Sequence, residues 1–338
     1  MKLPQKIQAW TASRQGAALE LHSFDFPKLH SDDVALRVIA CGVCHSDLHL
    51  IHNDWEVSSY PLVPGHEILG EVIAVGDRVS RCKVGDKVGV GWQHSSCGHC
   101  SDCLNGDENF CENSQATCLG HLGGFADFHV AKETFCFVLP TALAKPEVAP
   151  LFCGGITVYS PLIEFLSKRD AKVAVVGLGG LGHFAVRFAQ TMGYEVSVFS
   201  SSPDKKTEAQ KLGAHHFLPS ANEEEVLAQS NKFDLVLVTA NVDLPYHAYI
   251  DTLRSDGTLC FVGLPPSPIS FTIDKLLSKR RRIAASPVGS PKRIREMLEF
   301  SLLHGIQAQS EIFPVQEVNS VLTKVKANRV RYRAILEL

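Results

Sequence analysis

The sequence predicts an α/β protein in two parts, an irregular β-rich part and an open, doubly wound parallel sheet with helices on both faces. Three observations predict this. From residue 1 to about 150 the apolar residues come in short bursts, "DVALRVI", "LGEVIAVG" and "DKVGVGW", with Gly, Asp and Pro between them, as in short strands joined by turns. From about residue 171 the text becomes regular: "AKVAVVGLGGLGHFAVRFAQTMGYEVSVFS" reads strand, glycine turn, helix, strand. The strands of this second part are continuously apolar, which places them in a sheet covered on both sides.

The elements follow in order. A strand at Lys172 to Val176 leads into a helix from about Gly182 to Met192 that buries Phe184, Ala185, Phe188, Ala189 and Met192 and stops at Gly193. A helix around Asp204 to Leu212 is closed by Gly213. Next come the strand "FDLVLVTA", a helix near Tyr246 to Leu253 and the strand "TLCFVG". No solenoid repeat or low-complexity segment interrupts the series.

Composition narrows the function. The 338 residues are 45% hydrophobic and 20% charged, enough for a large core and roughly two domains. Lys and Arg number 33 against 36 Asp and Glu, with neither sign gathered into a tail, so neither nucleic acid nor an anionic membrane is expected as a partner. The densest basic run, "SKRRRI" from Ser278 to Ile283, reads as a solvated edge. The N-terminal stretch has no signal-peptide core, and no apolar run reaches about 18 residues. A soluble cytoplasmic protein is expected. Its eleven cysteines should then be thiols or metal ligands rather than disulfides.

Four of them lie in "CGHCSDCLNGDENFC". The spacing C-x2-C-x2-C-x7-C, with Gly98, Asn105 and Gly106 to turn the chain, lets one loop fold Cys97, Cys100, Cys103 and Cys111 around a point. Four thiolates suit a tetrahedral zinc and leave no position for substrate. This lobe, about 94 to 114, therefore reads as a structural zinc site.

Gly177-Leu178-Gly179-Gly180-Leu181-Gly182 directly follows a predicted strand and opens a predicted helix, the context in which the motif binds a dinucleotide pyrophosphate. The next strand ends at Ser200, Ser201 and Ser202, followed by Pro203, Asp204, Lys205 and Lys206. Hydroxyls and ammonium groups bind a 2′-phosphate, whereas the carboxylate usual in NAD sites would repel it. NADP(H) is the predicted cofactor. Asp204 lies late and equally suits the start of the following helix.

A nicotinamide needs a reaction partner. "GVCHSDLH", "PGHE" and "LFCGGITVYSPL" supply Cys44, His66 and Cys153, but their spacing alone does not separate metal ligands from buried core residues. Taken together with "VGDKVGVGW", "GGFADF", "GLPPSP", "SPVGS" and "VRYRAIL", in matching order over nearly the whole chain, these segments resemble the zinc-dependent medium-chain alcohol dehydrogenases. They are most similar to the cinnamyl-alcohol-dehydrogenase-like branch of NADP-dependent alcohol dehydrogenases and aldehyde reductases.

That resemblance implies a catalytic zinc on Cys44, His66 and Cys153, with Glu67 able to exchange onto the metal. It makes Ser46 the hydroxyl beside the reacting oxygen, His49 the next proton carrier, and Thr157, Gly263, Gly289 and Ser290 cofactor contacts. It further implies two zincs per chain, a homodimer, and a GroES-like catalytic domain at 1–152 that returns at 288–338, with a Rossmann domain at 153–287 and the active site in the cleft. Other readings stand beside it. Ser46 and Asp47 could cap a helix, Glu67 could only orient His66, and His49 and His52 could be surface histidines. Cys41, Cys82, Cys118, Cys136 and Cys260 read as small buried apolar residues.

Against the plant cinnamyl enzymes, Ala116 and Pro287 stand where bulky pocket residues are common, while Trp55 and Trp92 either line the pocket or belong to the core. The expected substrates are therefore primary alcohols and aldehydes of broad range, aromatic or aliphatic. An NAD-dependent polyol or secondary alcohol dehydrogenase, and a non-catalytic NADPH-binding protein, are the alternatives.

Overall fold

The computed structural model describes residues 3–168 and 170–338. It divides into two compact units, unit 1 being Met1–Cys153 with Gly289–Leu338, and unit 2 being Gly154–Val288.

Unit 1 is built on a seven-stranded sheet. Its order is Ser310–Pro314, Arg333–Glu337, Asp33–Val43, Ile68–Val75, Lys87–Val90 and Phe137–Val138, with Phe128–Lys132 also paired to Asp33–Val43. The segment Asp33–Val43 is apolar almost throughout because three strands pair with it and both of its faces are covered. The C-terminal strand Arg333–Glu337 runs antiparallel to it, so the end of the chain lies beside residues 40–43. The helix His45–His52 follows this central strand directly. Its first residue comes two positions after Val43, so the strand's end and the helix's first turn share one corner.

Unit 2 has six parallel strands in the order His216–Pro219, Glu195–Ser200, Lys172–Val176, Phe233–Val238, Leu253–Phe261 and Arg282–Ala285. Numbered along the chain this is 3-2-1-4-5-6, the Rossmann order, whose direction reverses between the first and fourth strands. The predicted strand Lys172–Val176 and the turn at Gly193 are present, and the helix spans Gly182–Thr191. That helix buries His183 and Val186 as well as the predicted Phe184, Ala185, Phe188 and Ala189, whereas Met192 is only partly buried at its cap. The helix predicted over 204–212 is divided into a 3-10 turn, Pro203–Lys205, and a helix, Lys206–Lys211, because Pro203 opens it with a tight turn. Among the described residues no single helix is long and apolar enough to cross a membrane.

Candidate active site and metal centres

In unit 1 the backbone brings three distant segments to one point. The amide of Gly42 donates to the carbonyl of Glu67 at 2.8 Å, which lays His66 and Glu67 beside the end of the central strand. A Cβ on residue 42 would fall 2.0 Å from Glu67 Oε2, so only glycine permits this approach. Cys44 is the N-cap of the helix His45–His52, and Cys153 ends the 3-10 segment Pro146–Phe152. The Phe152 ring sits where a Cβ on Gly89 would otherwise lie, fixing the residue before Cys153. Ligand atoms of Cys44, His66, Glu67 and Cys153 all lie within 4.8 Å of one another.

The chemistry of this group suits a metal. His66 Nδ1 lies 3.0 Å from Asp47 Oδ1, and since a carboxylate only accepts, Nδ1 carries a proton and Nε2, 3.3 Å from Cys153 Sγ, is the ring atom free to ligate a metal. A hydrogen bond from Cys153, aided by His66 and Arg333 and opposed by burial, holds the Cys44 thiol well below its usual range. Burial pushes Glu67 up to about 7 against the pull of Arg333. The Arg333 guanidinium is hydrogen-bonded to Glu67 Oε1, while Oε2 is buried without a hydrogen-bond partner. Two sulfurs, one imidazole nitrogen and an orphaned carboxylate oxygen match a zinc site that keeps an exchangeable position.

Asp47 and Arg333 were not among the predicted site residues, and both are central. Asp47 is completely buried and accepts three bonds, from Gly65 N at 2.9 Å, His66 Nδ1 at 3.0 Å and Cys44 N at 2.9 Å. It does reach back to the N-cap, as a capping residue would, but its other oxygen supports the imidazole. The orienting partner of His66 is therefore Asp47 and not Glu67. Cys118 also departs from its expected passive role, since its thiol donates to the Gly65 carbonyl at 3.2 Å and lies within 4.8 Å of ligand atoms of Asp47 and His66. The available signals were Asp47 three positions after Cys44, and a lone arginine opening the apolar strand "RAILE".

The other residues predicted in unit 1 fall around this group. Ser46 Oγ lies 3.6 Å from Cys44 Sγ. His49 Nδ1 is 2.7 Å from Asp54 Oδ2, and its ring stacks on Trp55 with centroids 5.0 Å apart. Trp55 meets Trp92 edge-on at 6.2 Å, and Trp92 meets the His66 ring edge-on at 5.0 Å. Both tryptophans are half-buried and pack against the core as well as the site. His52, by contrast, bonds the Leu48 carbonyl at 2.9 Å through Nδ1 and belongs to the helix. Ser290 Oγ caps the helix Pro291–His304 by accepting from Arg293 N at 3.4 Å, and Gly289 precedes it, buried.

The cysteine lobe closes between the paired strands Gln93–Ser95 and Gln115–Ala116. The ligand atoms of Cys97, Cys100, Cys103 and Cys111 lie within 4.8 Å of one another, with Cys97 and Cys103 sulfurs 3.9 Å apart. Gly98 and Gly106 take the left-handed conformations the turns need, whereas Asn105 is the last residue of the short helix Ser101–Asn105. Backbone amides point at the sulfurs, Cys100 N to Cys97 Sγ at 3.3 Å and Cys97 N to Cys111 Sγ at 3.5 Å. The His99 and Cys100 amides pull the Cys97 thiol down to about 6. Four sulfurs held this way fit a metal with no open position.

In unit 2 the glycine loop leaves the strand Lys172–Val176 at Gly177, whose φ is +93°. A Cβ on Gly182 would meet the Gly177 carbonyl at 2.2 Å, so the loop closes only with glycine there. A Cβ on Gly179 would meet nothing within 4 Å, leaving open space for a ligand. Gly180 and Leu181 complete the turn, and no side chain caps the helix. Lys205 Nζ donates to the Leu178 carbonyl at 3.0 Å, which brings an ammonium to the loop. Ser200 ends its strand, its Oγ accepting from Ser202 N at 3.2 Å, while Ser201, Asp204 and Lys206 are exposed. Gly263 follows the strand Leu253–Phe261 and packs on Ala240, and Thr157 is buried in the helix Gly154–Phe165. Pro287 is exposed beyond the last strand of the unit.

The sequence model of the alcohol dehydrogenase GroES-like domain matches residues 30–141, and that of zinc-binding dehydrogenases matches residues 180–302. An aldehyde reductase, AdhA, from Synechocystis sp. is 42% identical over 330 residues, covering 98% of each chain. A probable mannitol dehydrogenase from Fragaria ananassa is 40% identical, covering 99% of this chain and 96% of its own. Among solved structures, a cinnamyl alcohol dehydrogenase from Sorghum bicolor superposes with a TM-score of 0.94 at 35% identity, over 98% of this chain and 97% of that one. The CAD from Helicobacter pylori complexed with NADP(H) superposes with a TM-score of 0.91 at 30% identity, over 98% of both. The expected GroES-like and Rossmann architecture is borne out by both comparisons.

Proposed function

Because the chain belongs to the zinc-dependent medium-chain alcohol dehydrogenases, in their cinnamyl-alcohol-dehydrogenase-like branch, we propose that it reversibly transfers a hydride between NADP(H) and a broad range of primary alcohols and aldehydes. The observation that carries this reading is the convergence of Cys44, His66 and Cys153, with His66 Nε2 turned toward the sulfurs. These three would hold the catalytic zinc, with Glu67 as an exchangeable ligand, and the cysteine lobe would hold a second, structural zinc. Bound there, zinc supplies a Lewis acid that eases loss of an alcohol proton and polarises an aldehyde carbonyl.

The chain's own residues do the rest. Asp47 fixes the imidazole tautomer and keeps Nε2 aimed at the metal position. Ser46 Oγ takes the hydroxyl proton and hands it to His49, whose ring is set by Asp54 and Trp55, and His49 is exposed enough to pass it to water. Trp55 and Trp92 line the apolar side of the substrate position. In unit 2 the uncapped helix end takes the pyrophosphate, and Ser200, Ser201, Ser202, Lys205 and Lys206 take the 2′-phosphate. Lys205 beside the glycine loop supports that assignment. The same reading makes the protein a cytoplasmic homodimer, and the edge strand Arg282–Ala285 offers a sheet edge for pairing.

The test is an assay of purified protein with NADPH and a panel of aldehydes, with zinc counted alongside. NADPH oxidation and two zincs per chain are expected, and Cys44→Ser should abolish turnover while cofactor binding survives. The mannitol dehydrogenase among the relatives favours a second reading, polyol oxidation. Turnover of mannitol with NAD, together with indifference to NADPH, would replace the first reading with it.

A further inference from the structure

The residue before His66 is a glycine by necessity. Gly65 has a φ of +100°, and a Cβ on it would fall 2.6 Å from the Phe125 ring and 3.0 Å from Cys41 Sγ. Glycine meets that demand, yet its own backbone is the least restrained of any residue. Whatever fixes the peptide entering His66 must therefore come from other segments.

Three hydrogen bonds do this. Gly65 N donates to Asp47 Oδ1 at 2.9 Å. The Gly65 carbonyl, which belongs to the peptide joined to His66, accepts from Gly124 N at 2.7 Å and from Cys118 Sγ at 3.2 Å. A carbonyl oxygen has two lone pairs, and both are used. The bond from Gly124 alone leaves the peptide plane free to tilt about one N···O line, and a second donor on the same oxygen removes that freedom. Because a carbonyl only accepts, Cys118 is the donor and stays a thiol, unlike the sulfurs offered to a metal.

The place of this thiol in the fold points the same way. Cys118 is 1% exposed, so it is closed to solvent, and its sulfur stands outside the group formed by Cys44, His66, Glu67 and Cys153. It lies within 4.8 Å of an Asp47 carboxylate oxygen and a His66 ring nitrogen, beside the bond that orients the imidazole. A tilt of the Gly65–His66 peptide would move the ring against Asp47 and against the sulfurs at once. Packing alone would be satisfied by any small apolar side chain, whereas the 3.2 Å contact needs a donor.

Resting on the reading of Cys44, His66 and Cys153 as the catalytic metal centre, we propose that Cys118 is a positioning residue for that centre, its S–H locking the Gly65 carbonyl so that His66 Nε2 stays aimed at the metal position. The test separates the donor from the volume. Cys118→Ala and Cys118→Ser remove nearly the same bulk, but only serine keeps a proton to donate. Zinc-loaded full-length chains are titrated with a chelator and the metal remaining is counted. Cys118→Ala should release the metal of Cys44, His66 and Cys153 about three- to tenfold more readily than the wild type, the effect of one hydrogen bond acting through a ligand. Cys118→Ser should stay close to the wild type, and the metal of the cysteine lobe should be unmoved in both. Cobalt in place of zinc adds a spectroscopic reading, because its visible bands follow ligand geometry; they should shift in Cys118→Ala and return in Cys118→Ser. Should Cys118→Ala fail to fold, Cys118→Val, which fills the cysteine volume without a donor, replaces it with the same expectation. Unchanged release without the donor, or equal loss in the alanine and serine variants, would overturn the proposal and leave the metal centre standing. A wild-type chain that binds metal only in its cysteine lobe would overturn both.

Discussion

Replacing Asp47 by Asn keeps the size and shape of a completely buried side chain and removes one of its acceptors. The carboxylate accepts from Gly65 N and His66 Nδ1 on one oxygen and from Cys44 N on the other, at 2.9, 3.0 and 2.9 Å. An amide has a single oxygen. Facing Gly65 and His66, it turns its NH2 against the Cys44 N–H and orphans one buried donor, at a cost of about 1–3 kcal/mol. The opposite orientation orphans two. The negative charge behind the imidazole is also lost, and partners of this kind are typically worth about 10–100-fold in metal affinity. Asp47→Asn should therefore unfold at lower urea, by about 1–3 kcal/mol. It should also release the metal held by Cys44, His66 and Cys153 to a chelator roughly 10–100 times more readily. The cysteine lobe, which Asp47 does not touch, provides the internal control, and at matched chelator the zinc count should fall to that of the lobe alone. A variant that kept both metals at wild-type affinity and unfolded at the wild-type midpoint would refute the role given to Asp47.

Three further outcomes are expected. Lys205→Ala should raise the KM for NADPH by roughly tenfold or more, the loss of one charge-assisted hydrogen bond, and leave NADH kinetics nearly unchanged; equal effects on both cofactors would remove Lys205 from the 2′-phosphate site. Gly89→Ala would set a Cβ 1.8 Å from the ring of Phe152, itself buried and stacked on Phe137, so the melting temperature should drop by the equivalent of about 1–3 kcal/mol or more. An unshifted melt would show that the core beside Cys153 yields easily. His129 is depressed to about 4 by burial, so between pH 6.5 and 4 the unfolded chain binds a proton that the folded chain does not. Its contribution is intact above pH 6.5 and is lost as pH falls, by about 2 kcal/mol at pH 5. Urea midpoints measured against pH should flatten over that window in His129→Leu, and an unchanged slope would contradict the assignment.

What the sequence made legible follows contact range. The strand Lys172–Val176 and its glycine turn were readable because each is specified by neighbours a few positions away, through apolar continuity, the positive φ of Gly177 and the close approach at Gly182. The cysteine lobe was readable for the same reason, all four sulfurs lying within one loop. The support of the Cys44, His66 and Cys153 group was not. Glu67 and Arg333 are 266 positions apart and meet only because the C-terminal strand pairs with Asp33–Val43. Asp47 looked like a helix cap because locally it is one, and its second oxygen serves a histidine 19 positions on that only the folded sheet delivers. Periodicity likewise could not show that Pro203 would divide the helix over 204–212. Nor could it show that Cys118 would lie behind His66.

The order in which the ribosome delivers the chain gives the C-terminal strand a consequence of its own. Cys44, His66 and Cys153 are all synthesised by residue 153, yet the guanidinium that pairs with Glu67 arrives only at residue 333, after the whole of unit 2 has been made. Until then the central strand has a bare margin where Arg333–Glu337 belongs, and Glu67 lacks its guanidinium partner. A product that stops short of residue 333 is thus left with an unfinished, aggregation-prone sheet edge.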